Sequence, residues 1–298
     1  MIKVARMDKK VAVTFFQGEK WLVLTGLLGF LLAAVCGIWV MIYGAVVLPK
    51  GDVLKAFSFD AALGTFLLST AAIMPFTALS NTSRAVFRWS YILLALYAYF
   101  AETVQNFRGV DPRFVKGGTD FDVWVGSIFT FVALLLVLFY LFAAIPFFGK
   151  MAYRLRPELI VGIRYAMIAV LFSFAAGVWI SFNAGRYFGL HGNIIWLHGL
   201  GFHAIQVIPF LAWMSEYTRL HPSIRKGLIH LSGIAFLFGL IAIGWQTYLG
   251  LPVLEWSVAS ILALLCFLIT FAAGLLLLTQ IKAVLWVKKQ AEALSHRQ

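Results

Sequence analysis

The sequence predicts an all-α integral membrane protein of eight transmembrane helices, built as two parallel-topology four-helix repeats. Three observations carry this. The chain of 298 residues is 62% hydrophobic and 12% charged, with a mean hydropathy of +0.92. A soluble domain carries about twice that charge fraction. Eight stretches reach the roughly 20 apolar residues needed to cross a bilayer. Short motifs also recur in order in the two halves. Gly37-Ile38-Trp39-Val40 returns as Gly177-Val178-Trp179-Ile180, and Pro75-Phe76 as Pro209-Phe210. Gln105 with Gly109 returns as Gln246 with Gly250, and Asp122 with Val125-Gly126-Ser127-Ile128 as Glu255 with Val258-Ala259-Ser260-Ile261. One pair means little in so apolar a chain. Four in order, one per helix, point to a duplication, and duplicated bundles often work at the repeat interface.

The spans fall near residues 21–48, 59–79, 85–105 and 123–147, then 159–183, 195–216, 227–249 and 256–286. Around them lie an N-terminal segment (1–20), a linker (148–158) and a tail (287–298), with the repeats at 21–147 and 159–286. The first span is too long and too late for a signal-peptide core and is expected to be retained. Residues 1–18 mix charge with Val11, Val13, Phe15 and Phe16, the pattern of an interfacial amphipathic helix. From Lys282 onward the last helix is expected to run on into the cytoplasm. Cys36 and Cys266, the only cysteines, both fall inside spans, which argues against a disulfide framework or a Cys-based metal motif.

The net charge of +12 does not read as nucleic-acid binding. Lys3, Arg6, Lys9, Lys10, Lys150, Arg154, Arg156, Arg219, Arg225, Lys226, Lys288 and Lys289 gather on one side of the eight-span arrangement. Only Lys50, Lys55, Arg108, Arg113, Lys116 and Arg186 lie on the other. Basic residues stay inside, so both termini are expected inside a bacterial cytoplasmic membrane, the basic face toward anionic headgroups. The bilayer is the first partner. A small-molecule ligand and a membrane protein partner or second copy are the other candidates.

Polar side chains within spans are costly and mark candidate sites. The sixth span reads His198-Gly199-Leu200-Gly201-Phe202-His203-Ala204-Ile205-Gln206. On a helix the histidines point about 140° apart, so they do not clamp one haem iron from both sides. The third span places Glu102 one turn before Gln105, with Arg108 just beyond, and Gln246 comes to the same level from the seventh span. The candidate ligand-binding set is therefore Glu102, Gln105, Arg108, His198, His203, Gln206 and Gln246. Imidazole ligates haem iron and transition metals, which makes His198 and His203 the candidate metal ligands. The same residue types also build proton relays or hydrogen-bonded packing clusters. Asp60 is expected at the start of the second span, favoured by the helix dipole. Arg164 and Lys282 are expected to snorkel. At the places matching His198, His203 and Gln206, the first half has Gly64, Ser69 and Ala72. The chain shows no Walker A, Rossmann, His-Glu-x-x-His or Gly-x-Ser-x-Gly pattern, which leaves open whether it is an enzyme.

Two segments resemble a family of bacterial multi-helix membrane proteins, whose members carry a Gln…Arg-Gly…Pro-Ser-His-Phe-Asn stretch and a later His-Phe-x-Gly-Leu-His-x-x-Gln-x-x-Pro stretch. Here the second runs from His198 through His203 and Gln206 to Pro209, and the first from Gln105 through Arg108-Gly109 and Pro112 to Phe114. The Ser-His pair is absent, with Arg113 near the family histidine's place. The resemblance implies a shared polar site and no particular activity. The leading expectation is a membrane protein binding haem or a metal ion in an outward-facing polar pocket, with a redox or sensing role. The alternatives are a small proton-coupled secondary transporter and a structural or assembly subunit.

Overall fold

The computed structural model describes residues 13–115 and 117–295, and side chains as far as Lys282. Residues 1–12, which hold most of the expected interfacial helix, Lys116 and residues 296–298 lie outside the described residues. The fold is helical throughout, apart from two short hairpins. Helix α1 (Lys20–Tyr43) ends where Gly44 takes a positive φ of 83°. Strands β1 (Val46–Val47) and β2 (Gly51–Asp52) then pair antiparallel before α2 (Val53–Ile73). Helix α3 (Asn81–Phe107) is followed by α4 (Asp120–Ala144). The second half opens with a short α5 (Lys150–Leu155), then α6 (Pro157–Phe182), β3 (Tyr187–Phe188), β4 (Gly192–Asn193), α7 (Ile195–Ser215), α8 (Pro222–Tyr248) and α9 (Val258–Ser295).

Among the described residues, seven helices are long and apolar enough to cross a membrane. Helix α3, at 27 residues, has the length but is not one of them. Arg84, Arg88, Glu102, Gln105 and Asn106 lower its apolarity. Its polar side chains turn inward: Glu102, Gln105 and Asn106 are all buried. Lipid-sized apolar side chains such as Leu31, Leu93, Trp124, Phe131, Phe238 and Phe271 ring the outside, the surface a bilayer contacts.

Several boundaries differ from expectation, each for a local reason. The first helix stops at Tyr43 rather than near residue 48, because the chain turns into the β1–β2 hairpin. The second begins at Val53, six residues before the predicted boundary, because the Asp52 carboxylate caps it by accepting the Leu54 N–H at 3.1 Å. Asp60 is therefore two turns inside α2 and fully buried, not at a helix start. The linker contains α5. Pro75 sits in a 3₁₀ turn after α2, whereas Pro209 lies inside α7, so these prolines do not occupy equivalent places. Arg164 does not snorkel: its guanidinium donates to the carbonyls of Phe147, Phe148 and Gly149 at the end of the α4 segment. Residues Phe15 to Gly18 form a turn, not a helix, and Phe15 packs edge-on against Phe76 and Trp213.

In the first half α1 packs along α2 and α3 along α4; in the second, α6 packs along α7 and α8 along α9. Small residues set these seams. A side chain on Gly26 would meet the Gly64 carbonyl at 3.0 Å, and one on Gly162 would meet the Ile208 carbonyl at 3.0 Å. The halves meet where α2 lies against α7. There Phe66 meets Phe202 at 5.1 Å between ring centroids, and between α4 and α6 the Tyr140 hydroxyl reaches Met167.

Candidate functional site

The predicted site residues separate into three groups. The first is at the C-terminal end of α3. Glu102 is 1% exposed and accepts from Arg113 Nε at 2.5 Å. Asn106 Nδ2 donates to the Glu102 carbonyl at 2.7 Å, while its Oδ1 accepts the Asp52 N–H at 2.9 Å. Gln105 Nε2 donates to Asp122 Oδ1 at 3.0 Å, and Arg108 reaches the same oxygen at 3.1 Å. The other Asp122 oxygen accepts both the N–H and the hydroxyl of Thr119. Every carboxylate here has a charged or multiply donating partner. Burial weighs against the Arg113 charge, but the Glu102 carboxylate outweighs it and raises the guanidinium above its ordinary value. This group ties the long loop and the start of α4 to α3.

Gln246 forms the second group and does the corresponding job in the second half. Its Nε2 donates to the carbonyls of Pro252 (2.8 Å) and Glu255 (3.2 Å), and its Oε1 accepts the Ser257 hydroxyl. Engaged at both ends, it anchors the loop between α8 and α9.

The third group is on α7, and there the two histidines do different work. His198 faces α6: its Nδ1 meets the Ser173 carbonyl at 2.7 Å, and Ser173 Oγ donates to the His198 carbonyl at 2.6 Å. A Cβ added to Gly177 would lie 3.1 Å from the His198 ring, so this glycine makes room for it. In the first half the same contact joins Gly37 to Phe57 at 3.3 Å. The motif pairing set Gly64 against His198, whereas it is Phe57 that makes the Gly37 contact in the first half.

His203 points away from the bundle and is exposed. It sits about 12 Å along the helix axis from Ile195. Its Nδ1 is 3.0 Å from Gln206 Oε1. Gln206 Nε2 donates across the interface to Ser69 Oγ on α2 at 2.6 Å, and the Ser69 hydroxyl donates to the Thr65 carbonyl at 2.7 Å. This chain sets the tautomer. A carbonyl only accepts, so Ser69 spends its single proton on Thr65 and accepts from the Gln206 amide. The amide then offers its oxygen to His203, whose Nδ1 must be the donor. In neutral imidazole that leaves a lone pair on Nε2, and no described group engages it.

Two cavities flank His203 along the same stripe of α7. One, about 230 Å³, is lined by Ile195, Trp196, Gly199, Leu200 and His203; a side chain on Gly199 would touch nothing within 4 Å. The other, about 350 Å³, lies between α2 and α7 and includes Ser69, Ala72, Gln206, Pro209, Phe210 and Trp213, with Phe15 and Phe16 at one end. The walls are apolar except for the His203–Gln206–Ser69 chain. Neither cavity is lined by Glu102, Gln105, Arg108 or Gln246. Among the described residues, no hydrogen bond or ion pair joins the α3 group to His198 or His203, and no three His, Cys, Asp or Glu side chains are grouped to hold a metal ion. Sequence reasoning missed Ser69, Ser173 and Arg113 as partners, because hydroxyls on distant helices carry no local pattern. Only the position of Arg113 within the motif hinted at its role.

No protein-family model, curated protein or solved structure matches the chain.

Proposed function

We propose that this chain is a membrane-embedded binding protein for a flat, lipid-soluble ligand, with haem the first candidate, held in the α7 groove by His203. The observation that carries this is the free Nε2 lone pair of an imidazole whose tautomer is set from the other side. An unengaged polar atom at membrane depth is costly and calls for a partner. A ring nitrogen oriented through its Nδ1–H is also the usual arrangement of a metal-ligating histidine. Gly199, one turn before His203, leaves open space in the cavity that both residues line, and Trp196 and Leu200 offer apolar walls. Haem iron would take the lone pair directly; among the described residues, no three His, Cys, Asp or Glu side chains are grouped to hold a bare metal ion. A redox or sensing role follows from such a ligand.

The wider frame is part of the same reading. We take α3 as an eighth span, since its polar residues face inward and neighbouring helices satisfy them. We take the halves as parallel-topology repeats. Lys50 N donates to the Gly109 carbonyl (2.8 Å) as His191 N does to that of Gly250 (2.9 Å), and Val110 N bonds Gln105 as Leu251 N bonds Gln246. Such paired backbone contacts support a duplication that later diverged on α7. The basic residues favour both termini inside a bacterial cytoplasmic membrane. The His203-x-x-Gln206-x-x-Pro209 run supports kinship with the bacterial family it resembles.

The test is haem titration of the full chain in detergent, read by optical spectroscopy. Wild type and His198→Ala should both develop the absorption of ligated haem. His203→Ala should bind at least tenfold more weakly. Ser69→Ala, which disturbs the relay by one hydrogen bond, should weaken binding roughly fivefold, equivalent to about 1 kcal/mol. Equal spectra from wild type and His203→Ala would remove the reading.

A further inference from the structure

We infer that Asp60, outside the α7 groove and independent of it, is a proton-binding site within the membrane part of the molecule. Asp60 is 0% exposed, two turns into α2. Its Oδ2 accepts the Thr103 hydroxyl from α3 at 2.9 Å and lies 4.0 Å from Cys36 Sγ on α1. Its Oδ1 is buried with no hydrogen-bond partner, and so is the Tyr99 hydroxyl on α3. That hydroxyl lies over Gly29, where the Asp60 carbonyl also closes in, so a side chain on Gly29 would collide with both.

The charges around Asp60 decide its state. Among the described residues it has no ion-pair partner. Arg113 stacks over neighbouring Phe59 at 5.4 Å, but its Nε is bound to Glu102. Lys55 pairs with Asp111 at 3.6 Å. The ionisable groups facing Asp60 are the Cys36 thiol from α1 and Tyr99 and Glu102 from α3, none of which brings positive charge. On α7, His198 and His203 turn to Ser173 and Gln206. An anionic carboxylate here would stand without a counterion in a low-dielectric interior, so the neutral acid is favoured. With Oδ2 accepting from Thr103, the proton belongs on Oδ1, the oxygen left open. Thr103 donates only to an acceptor and so stabilises the carboxylate once the proton leaves. The site is thus built for both states: a hydroxyl donor for the anion, and no cation to forbid the acid.

Infrared spectroscopy of the full chain in lipid nanodiscs tests this. At neutral pH wild type should show a protonated carboxyl C=O band that shifts in D₂O and is lost in Asp60→Asn but kept in the Glu102→Gln/Arg113→Gln double variant, which removes the other buried acid together with its cation. Raising the pH should convert that band to carboxylate, and Thr103→Val should move the conversion to higher pH. Asn has the shape of the neutral acid, so Asp60→Asn should keep the wild-type helical circular dichroism. If it does not fold, isotope-edited spectra of ¹³C-aspartate-labelled wild type read the same band without a variant. No carboxyl band assignable to Asp60 at neutral pH would overturn the inference. So would a band that persists to the highest pH at which the fold survives, the mark of a fixed structural acid, or one abolished by sodium at constant pH, the mark of a cation site.

Discussion

At the scale of single residues, the same side-chain types do opposite things according to what meets them. His198 and His203 share a helix, yet His198 is spent on holding α6 and His203 is left with an open nitrogen. Glu102 and Asp60 are both buried carboxylates on adjacent helices. One has a guanidinium at 2.5 Å, and the other has a hydroxyl and no cation. The Glu102–Arg113 pair should behave as a unit. Glu102→Gln leaves a part-buried guanidinium without its anion, and Arg113→Gln leaves a buried carboxylate without its cation. Each should destabilise the protein by about 2–4 kcal/mol, while the double variant should lose less than the sum. Thermal or denaturant unfolding in one detergent gives the cycle, and strict additivity would show that the two do not interact.

At the scale of elements, the α6–α7 seam shows what glycine and hydroxyls do inside a membrane. A side chain on Gly201 would run into Ser173 Oγ and the Ala169 carbonyl, the surface that receives His198. Gly201→Val should force the helices apart and cost about 1–3 kcal/mol. Gly199→Ala, two residues away on the opposite face and facing open space, should cost little. A melting series over both variants distinguishes them; comparable losses would mean that the seam tolerates widening. Ser173→Ala should destabilise the same seam while leaving ligand binding at His203 intact, since the relay to His203 runs through α2 instead. The elements also explain the misplaced second-span boundary: a capping aspartate at residue 52 outranks the apolar run that begins later.

At the scale of the whole molecule, the basic asymmetry predicts sidedness. In a chain lacking Cys36 and Cys266, a cysteine at Asn193 or Gly117 should react with an impermeant thiol reagent from outside intact cells. One at Arg154 or Ser223 should react only after permeabilisation. The reverse pattern would invert the topology, and Gly117 and Ser223 labelling from one side would remove α3 and α4 as a paired crossing. Because Ser223 follows α7 and Asn193 precedes it, the same experiment locates His203 between the two surfaces.

Helical membrane character was legible from residues alone, because apolar runs of span length have few other stable forms. The recurring motifs were legible too, as were the polar positions Glu102, Gln105, His198, His203 and Gln206, since polar groups stand out against an apolar background. Tertiary structure alone decided their roles. Whether an intramembrane histidine is satisfied depends on hydroxyls and carbonyls brought by other helices: Ser173 for His198, and Ser69 with Thr65 through Gln206 for His203. Asp60 moved from an expected helix cap to a buried acid because helix α2 starts at Val53, and its isolation from cations is a property of three packed helices. A residue's chemistry is written in the chain; the partners that spend or spare it are set by packing between segments far apart in sequence.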